Sequence, residues 1–416
     1  MTGEVEVCVV GAGAAGLAAA RRLRAGGADV LVLEARDRVG GRAHTLAPDA
    51  GPIDLGCEWL HSADSNPWTH VAERLGFAID RTPPPWERPA LGEHFSAADS
   101  AAFGAARASF EARLAAAADA GEDRPASELL EPDGRWNTLL DAVSTWYSGA
   151  ELDRVSVRDY GAYQDSDVNW RIEAGYGALV EAYGEGVPLR LNTAVRLIDR
   201  AGARLRLETS GGELFAERVI VAVPTPVLAE ERLKITPAVR EVIEAAAGLP
   251  LGLADKAFLA LARPGAFPAD AGLFGRTTTL DTASYHLRPS GRPLIAAFVG
   301  GRWARALEAE GPGAVCAFAI DELSELFGSA VRRTLRPITQ TAWAADEFAL
   351  GSYSYAPPGC AGAREVLRRP VEDRLFFAGE ACSATAFSTA HGAYETGVAA
   401  AEAALRASGR RVEARD

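Results

Sequence analysis

Gly11-Ala12-Gly13-Ala14-Ala15-Gly16 stands between an apolar run, Val5 to Val10, and an Ala/Leu-rich stretch, Ala15 to Ala25. Glycines at this spacing allow a tight turn, a close approach of backbone to a pyrophosphate, and close packing of the helix that follows. The positive end of that helix then faces the phosphates. Glu34 ends the next apolar run, Val30 to Leu33, where a carboxylate can accept hydrogen bonds from an adenosine ribose. Composition singles out a second kind of residue. Of 43 Lys and Arg residues only Lys234 and Lys256 are lysines. Arg stays charged and planar, whereas Lys is compact and can lose its proton when buried, so a chain this poor in Lys keeps one where Arg would not serve. Taken alone, Lys256 reads equally as a solvated strand residue beside Asp255, and His61 as an ordinary polar residue after an apolar pair. Tyr353 and Tyr355 fall on one strand face, as aromatic packing or as the wall of a ligand site.

The elements that must position these residues follow from the apolar pattern. A strand over Val5 to Val10, a helix over Ala15 to Ala25, a break at Gly26-Gly27 and a strand over Val30 to Leu33 make one βαβ unit and open a doubly wound sheet. Pro83-Pro84-Pro85 breaks the chain before an alanine-rich helix, Ala97 to Ala120. Leu189 to Val223 is β-rich, with a turn at Ser210-Gly211-Gly212, and Leu375 to Ala404 runs from a strand into a helix. A length of 416 residues favours two domains. No apolar stretch approaches a membrane span, and no secretion signal, peroxisomal address or lipid-anchor motif stands at either end, including polar Arg411 to Asp416. Five scattered cysteines argue against a disulfide framework or a zinc site, and the expected location is a reducing cytoplasm. A net charge of −13 disfavours nucleic acid and anionic membranes as partners.

The glycine turn alone does not separate FAD from NAD. Its continuation, Glu34-Ala35-Arg36-Asp37-Arg38-Val39-Gly40-Gly41-Arg42, resembles the extended FAD fingerprint of the amine oxidase and glutathione reductase-like superfamily. Leu375-Phe376-Phe377-Ala378-Gly379-Glu380 and Ser388 to Gly397 resemble the carboxy-terminal FAD motif of flavin amine oxidases. Asp54 to His61, Val219 to Pro224 and Gly351 to Gly359 resemble further segments in the same order, and the pattern is closest to polyamine oxidases. The resemblance implies a Rossmann-like α/β FAD domain over 1–80, 189–233 and 351–416, interleaved with a mixed α+β substrate domain over 81–188 and 234–350. It implies FAD contacts from Gly11, Gly13, Ala15, Gly16, Glu34, Ala35, Arg36, Gly41, Arg42, Trp59, Leu60, Val195, Trp343, Glu380, Thr389 and Ala390. Lys256, His61 and Tyr353 are the implied catalytic residues, with Lys256 matching the family lysine that holds a water near flavin N5.

The expected reaction moves hydride from the carbon next to an amine nitrogen to flavin N5. The imine is hydrolysed, and oxygen yields hydrogen peroxide. The expected partners are a small amine and oxygen, with no metal. Gly351 stands where monoamine oxidases carry the cysteine that tethers FAD, so the cofactor is expected to be noncovalent. Thr389 departs from the Tyr that completes an aromatic cage in several relatives. Asp165 and Asp167 are candidates to grip a distal ammonium. A desaturase or other biosynthetic oxidoreductase on the same fold, and a silent FAD-binding protein, stay open as alternatives.

Overall fold

The computed structural model describes residues 3–410, so the polar tail Arg411 to Asp416 lies outside the described residues. β1 (Gly3–Val10), α1 (Ala14–Ala25) and β2 (Val30–Leu33) form the expected βαβ unit, with β1 and β2 parallel. Four consecutive buried residues close β1 because it lies inside the sheet with both faces covered. In the main sheet the order is Lys234–Thr236, Val195–Asp199, Leu205–Thr209, Gly212–Val221, β1, β2 and Leu189–Arg190, with Leu375–Phe377 added parallel to Gly212–Val221. Strands from both ends of the chain, β1 and Leu375–Phe377, therefore meet on Gly212–Val221 from its middle.

Close approach of two helices fixes the terminal motifs to each other. A side chain at Gly397, in the helix Ala390–Ala407, would start 2.1 Å from the Ala15 carbonyl oxygen of α1. Only glycine fits there.

A second, five-stranded antiparallel sheet runs in the order Ala271–Phe274, Ser284–Leu287, Leu294–Gly300, Ala254–Leu261 and Leu335–Gln340. A short three-stranded sheet pairs Trp59–Leu60 and Ile79–Asp80 with Trp170–Ile172. The alanine-rich segment is the helix Ala97–Asp119, opened by a reciprocal capping box between Ser96 and Asp99. Phe103, Phe110 and Leu114 are its buried large side chains, packed with Phe95, Trp136 and Leu139 in a core of their own. Among the described residues no helix is long and apolar enough to cross a membrane.

Candidate active site

One cavity of about 930 Å³ runs from the glycine turn to the second sheet. It is lined by every residue the sequence nominates except Gly16 and Leu60. Both exceptions have a steric cause. A Cβ at Gly16 would lie 1.8 Å from the Gly11 carbonyl oxygen, so this glycine seats α1 on the turn rather than facing the cavity. Leu60 follows Trp59 on a strand, where neighbours point to opposite faces, and its side chain is fully buried in the core beneath the βαβ unit.

At the turn, Gly11 has φ +101° and α1 begins at a glycine N-cap with no side-chain cap, so its first N–H groups have no side-chain acceptor there. Glu34 is buried, and each of its oxygens is fixed by one backbone donor: Ala12 N to Oε2 at 2.7 Å and Arg36 N to Oε1 at 2.9 Å. A carboxylate has about four lone-pair sites, which leaves acceptor capacity for ribose hydroxyls. The Arg36 side chain turns instead to Asp346, in a bidentate pair at 2.6 and 2.7 Å, so its part in the cavity is backbone and stem.

Arg42 Nη1 donates to the Ser352 carbonyl at 2.6 Å and to Glu380 at 3.0 Å. Burial pushes the Glu380 carboxyl up, but Arg42, Ser354 and Arg364 outweigh it and hold it below the usual range. Arg364, itself buried, forks onto Asp159 at 2.7 and 3.0 Å and donates to Ser354 Oγ at 2.8 Å, which orients the Ser354 hydroxyl toward Glu380 at 2.6 Å. Thr389 caps the helix Ala390–Ala407 by accepting from Gly392 N, and Thr389 and Ala390 face the cavity. Val195 lines the cavity from the start of the strand Val195–Asp199. A glycine cradle at one helix start suits the pyrophosphate of FAD, the buried acceptor Glu34 its ribose, and the guanidinium of Arg42 with the second helix start its flavin end.

At the opposite end of the cavity, alternation along Ala254–Leu261 sends Asp255 and Lys256 to opposite sides. Lys256 Nζ donates to the Asp54 carbonyl at 3.0 Å, the Gly56 carbonyl at 2.9 Å and Glu58 Oε2 at 2.9 Å. Three protein acceptors thus match its three N–H groups. Trp343 lines the cavity with its indole N–H toward the Leu55 carbonyl at 3.3 Å. Tyr353 donates its hydroxyl to the Trp146 carbonyl, and burial raises its phenol above the ordinary range. His61 Nδ1 meets Asn169 Oδ1 at 2.6 Å, and Asn169 Nδ2 donates to the Asp167 carbonyl, which fixes the amide. In that arrangement Nδ1 carries the proton and Nε2 is the acceptor. Burial lowers the His61 pKa against the opposing pull of Asp165 and Asn169.

Sequence spacing missed two features here. Glu58 lay inside a quoted motif, but nothing in its type showed that it turns to Lys256. Asp255 accepts from Thr341 Oγ1 at 2.6 Å and Trp343 N at 3.2 Å, while Glu308 accepts from Ala344 N and Ala345 N, so two carboxyls clamp the Trp343 turn. Burial, and then Glu308, push Asp255 up to about 8. A carboxyl that keeps its proton to about pH 8 when folded but loses it near about pH 4 when unfolded stabilises the fold fully below about pH 4, and that contribution is lost as pH rises to about 8. Asp255→Asn lacks this loss. Its melting temperature relative to wild type should therefore rise between about pH 5 and about pH 8, as read by thermal denaturation at the two pH values.

The fold and cavity define a flavin-linked oxidoreductase, and comparison with known proteins specifies which kind. Residues 95–405 match the model for flavin containing amine oxidoreductases, and residues 9–75 match an NAD(P)-binding Rossmann-like domain. The chain belongs to the flavin-containing amine oxidoreductase family. It is 30% identical to polyamine oxidase 3 of Oryza sativa subsp. japonica over 95% of this chain and 88% of that one. It is 29% identical to polyamine oxidase 2 of Arabidopsis thaliana, over 95% and 87%. Cyclohexylamine oxidase from Brevibacterium oxydans IH-35A shares its fold with a TM-score of 0.79 at 22% identity, over 98% of this chain and all of that one. The protein is an FAD-dependent amine oxidase.

Proposed function

We propose that the substrate is a di- or polyamine, oxidised with oxygen as acceptor and hydrogen peroxide as product, by a cytoplasmic enzyme that holds FAD without a covalent bond. The observation that supports this reading is Asp165. Its Oδ1 is fixed by Ser62 N at 3.2 Å, Ser62 Oγ at 3.1 Å and Asp167 N at 3.0 Å. Oδ2, 3.8 Å from His61 Nδ1, accepts no hydrogen bond among the described residues, and Asp165 lines the cavity. A carboxylate so oriented suits a second ammonium on the substrate.

In this reading 1–80, 189–233 and 351–416 hold FAD, and 81–188 with 234–350 shape the amine site. Bound FAD supplies the electron acceptor for hydride leaving the carbon next to nitrogen. The chain's own residues prepare the amine: His61 Nε2 can accept its proton, and the Tyr353 wall disfavours charge at the reacting nitrogen by desolvation. A second reading, a monoamine with a bulky apolar group, draws support from the aromatic walls Trp59, Trp86, Trp146 and Phe274.

Asp165→Asn separates the two. On the first reading kcat/KM for putrescine falls at least about tenfold, roughly 1.4 kcal/mol, while that for cyclohexylamine stays within about twofold. Equal small effects on both substrates, with cyclohexylamine the better one, would favour the second reading.

A further inference from the structure

We propose that Glu58 is the positioning residue of Lys256: it completes the lysine's donor set and makes that stretch of cavity wall electrically neutral. This rests on the reading of Lys256 as part of the amine site. Of the three acceptors around Nζ, the Asp54 and Gly56 carbonyls are neutral and belong to one short segment. Only Glu58, at 2.9 Å, brings a charge. An ammonium whose three N–H groups are matched by three acceptors has no N–H left over for a ligand.

Glu58 accepts one hydrogen bond, from Lys256, and is otherwise set among charges. It lies between the main cavity and a small polar pocket behind it, and lines both. On the far side its Oε1 is 4.0 Å from His286 Nδ1. His286 Nε2 is 3.5 Å from Asp270, and Arg171 bridges Asp270 at 3.0 Å and Asp80 at 2.7 Å. Burial pushes the Glu58 carboxyl up, yet Lys256, His286 and Arg171 outweigh it and bring it to about 2. It is therefore an anion throughout the working range and too weak a base to take a proton from substrate. Asp54 and Arg292 are the remaining charged groups close to it. The neighbouring Cys57 thiol, pushed up to about 12 by burial, stays uncharged.

The consequence concerns a cationic substrate. A lone ammonium on the wall would repel a protonated amine, whereas the Lys256–Glu58 pair lets it approach while keeping the lysine in place.

The test uses the holoenzyme and the fact that Lys234, which is exposed, and Lys256 are the only two lysines. Protein labelled with [13Cε]lysine gives one reference signal and one reporter. In wild type the Lys256 Cε protons should be inequivalent, as expected of a fixed side chain. In Glu58→Gln they should move toward the averaged position of Lys234. The KM for putrescine should rise at least about tenfold near neutral pH, and that penalty should shrink as pH approaches the amine's own pKa of about 10. If Glu58→Gln fails to fold, Glu58→Asp serves, with displaced Lys256 signals but a KM within about threefold of wild type because the charge is kept. Unchanged Lys256 signals in whichever variant folds, or a KM penalty in Glu58→Gln that does not vary with pH, would overturn the proposal. Displaced signals in a protein that oxidises no amine would support the pairing and remove only the substrate reading.

Discussion

Gly16→Val is expected to yield protein that no longer retains FAD through gel filtration. The Cβ built at Gly16 lies 1.8 Å from the Gly11 carbonyl oxygen and 3.3 Å from Val9 Cγ1. Backbone cannot yield as a flexible side chain does, so α1 must move off β1 or the turn must open. Either movement carries the first N–H groups of α1 away from where a pyrophosphate sits, and it displaces Ala12 N, which fixes one oxygen of Glu34. The phosphate and ribose contacts are lost together because both are set by one turn. FAD affinity should fall at least about a hundredfold, roughly 2.8 kcal/mol. Gly104→Ala is the matched control. Gly104 is exposed within the helix Ala97–Asp119, and a Cβ there meets nothing within 4 Å. That variant should keep its FAD and gain up to about 1 kcal/mol of stability from better helix propensity. Retention of flavin by Gly16→Val, measured by absorbance after gel filtration, would show that the turn tolerates separation from the helix.

The same turn shows why one half of the site could be read in the sequence and the other could not. The glycine motif, Glu34 and the strands around them lie within one local unit, so their spacing along the chain is nearly their spacing in space. Gly397 could be quoted as a motif residue, but its purpose appears only when α1 lies against it. The opposite end of the cavity has no such locality. Lys256 meets carbonyls and a carboxylate about two hundred residues earlier, at 54, 56 and 58. Arg364 reaches Asp159 across 205 positions to steady Ser354 and, through it, Glu380. No period or motif encodes such pairings, since each depends on how segments far apart in the chain pack against one another. Where alternation did apply, it worked in part: Tyr353 and Tyr355 both line the cavity, while Trp59 does so and Leu60 does not.

The Lys256–Glu58 pair changes how replacement of the lysine should act. Lys256→Met removes the one cation hydrogen-bonded to Glu58 and leaves that carboxylate facing the cavity, with His286, Arg171 and Arg292 nearby offsetting only part of its charge. A bound amine next to an unpaired carboxylate is favoured in its protonated form, so its pKa rises. Hydride leaves readily only when the nitrogen lone pair is free, and an aliphatic amine has an intrinsic pKa of about 10 by analogy with Lys. In wild type, flavin reduction should therefore speed up as pH rises through the bound amine's pKa. In Lys256→Met the same rise should be displaced to higher pH, with reduction at neutral pH slowed at least about tenfold, roughly 1.4 kcal/mol of barrier. Glu58→Gln should not share this displacement toward higher pH, because it leaves the cation rather than the anion unpaired. The opposite signs matter more than either magnitude, since general damage to the site would slow both variants without moving their profiles apart. Stopped-flow reduction measured between about pH 6 and about pH 10 distinguishes the cases. If Lys256→Met leaves the rate and profile of reduction unaltered, and the reaction with oxygen as well, Lys256 has no part in the chemistry and its three hydrogen bonds serve only to tie the strand Ala254–Leu261 to the segment 54–58.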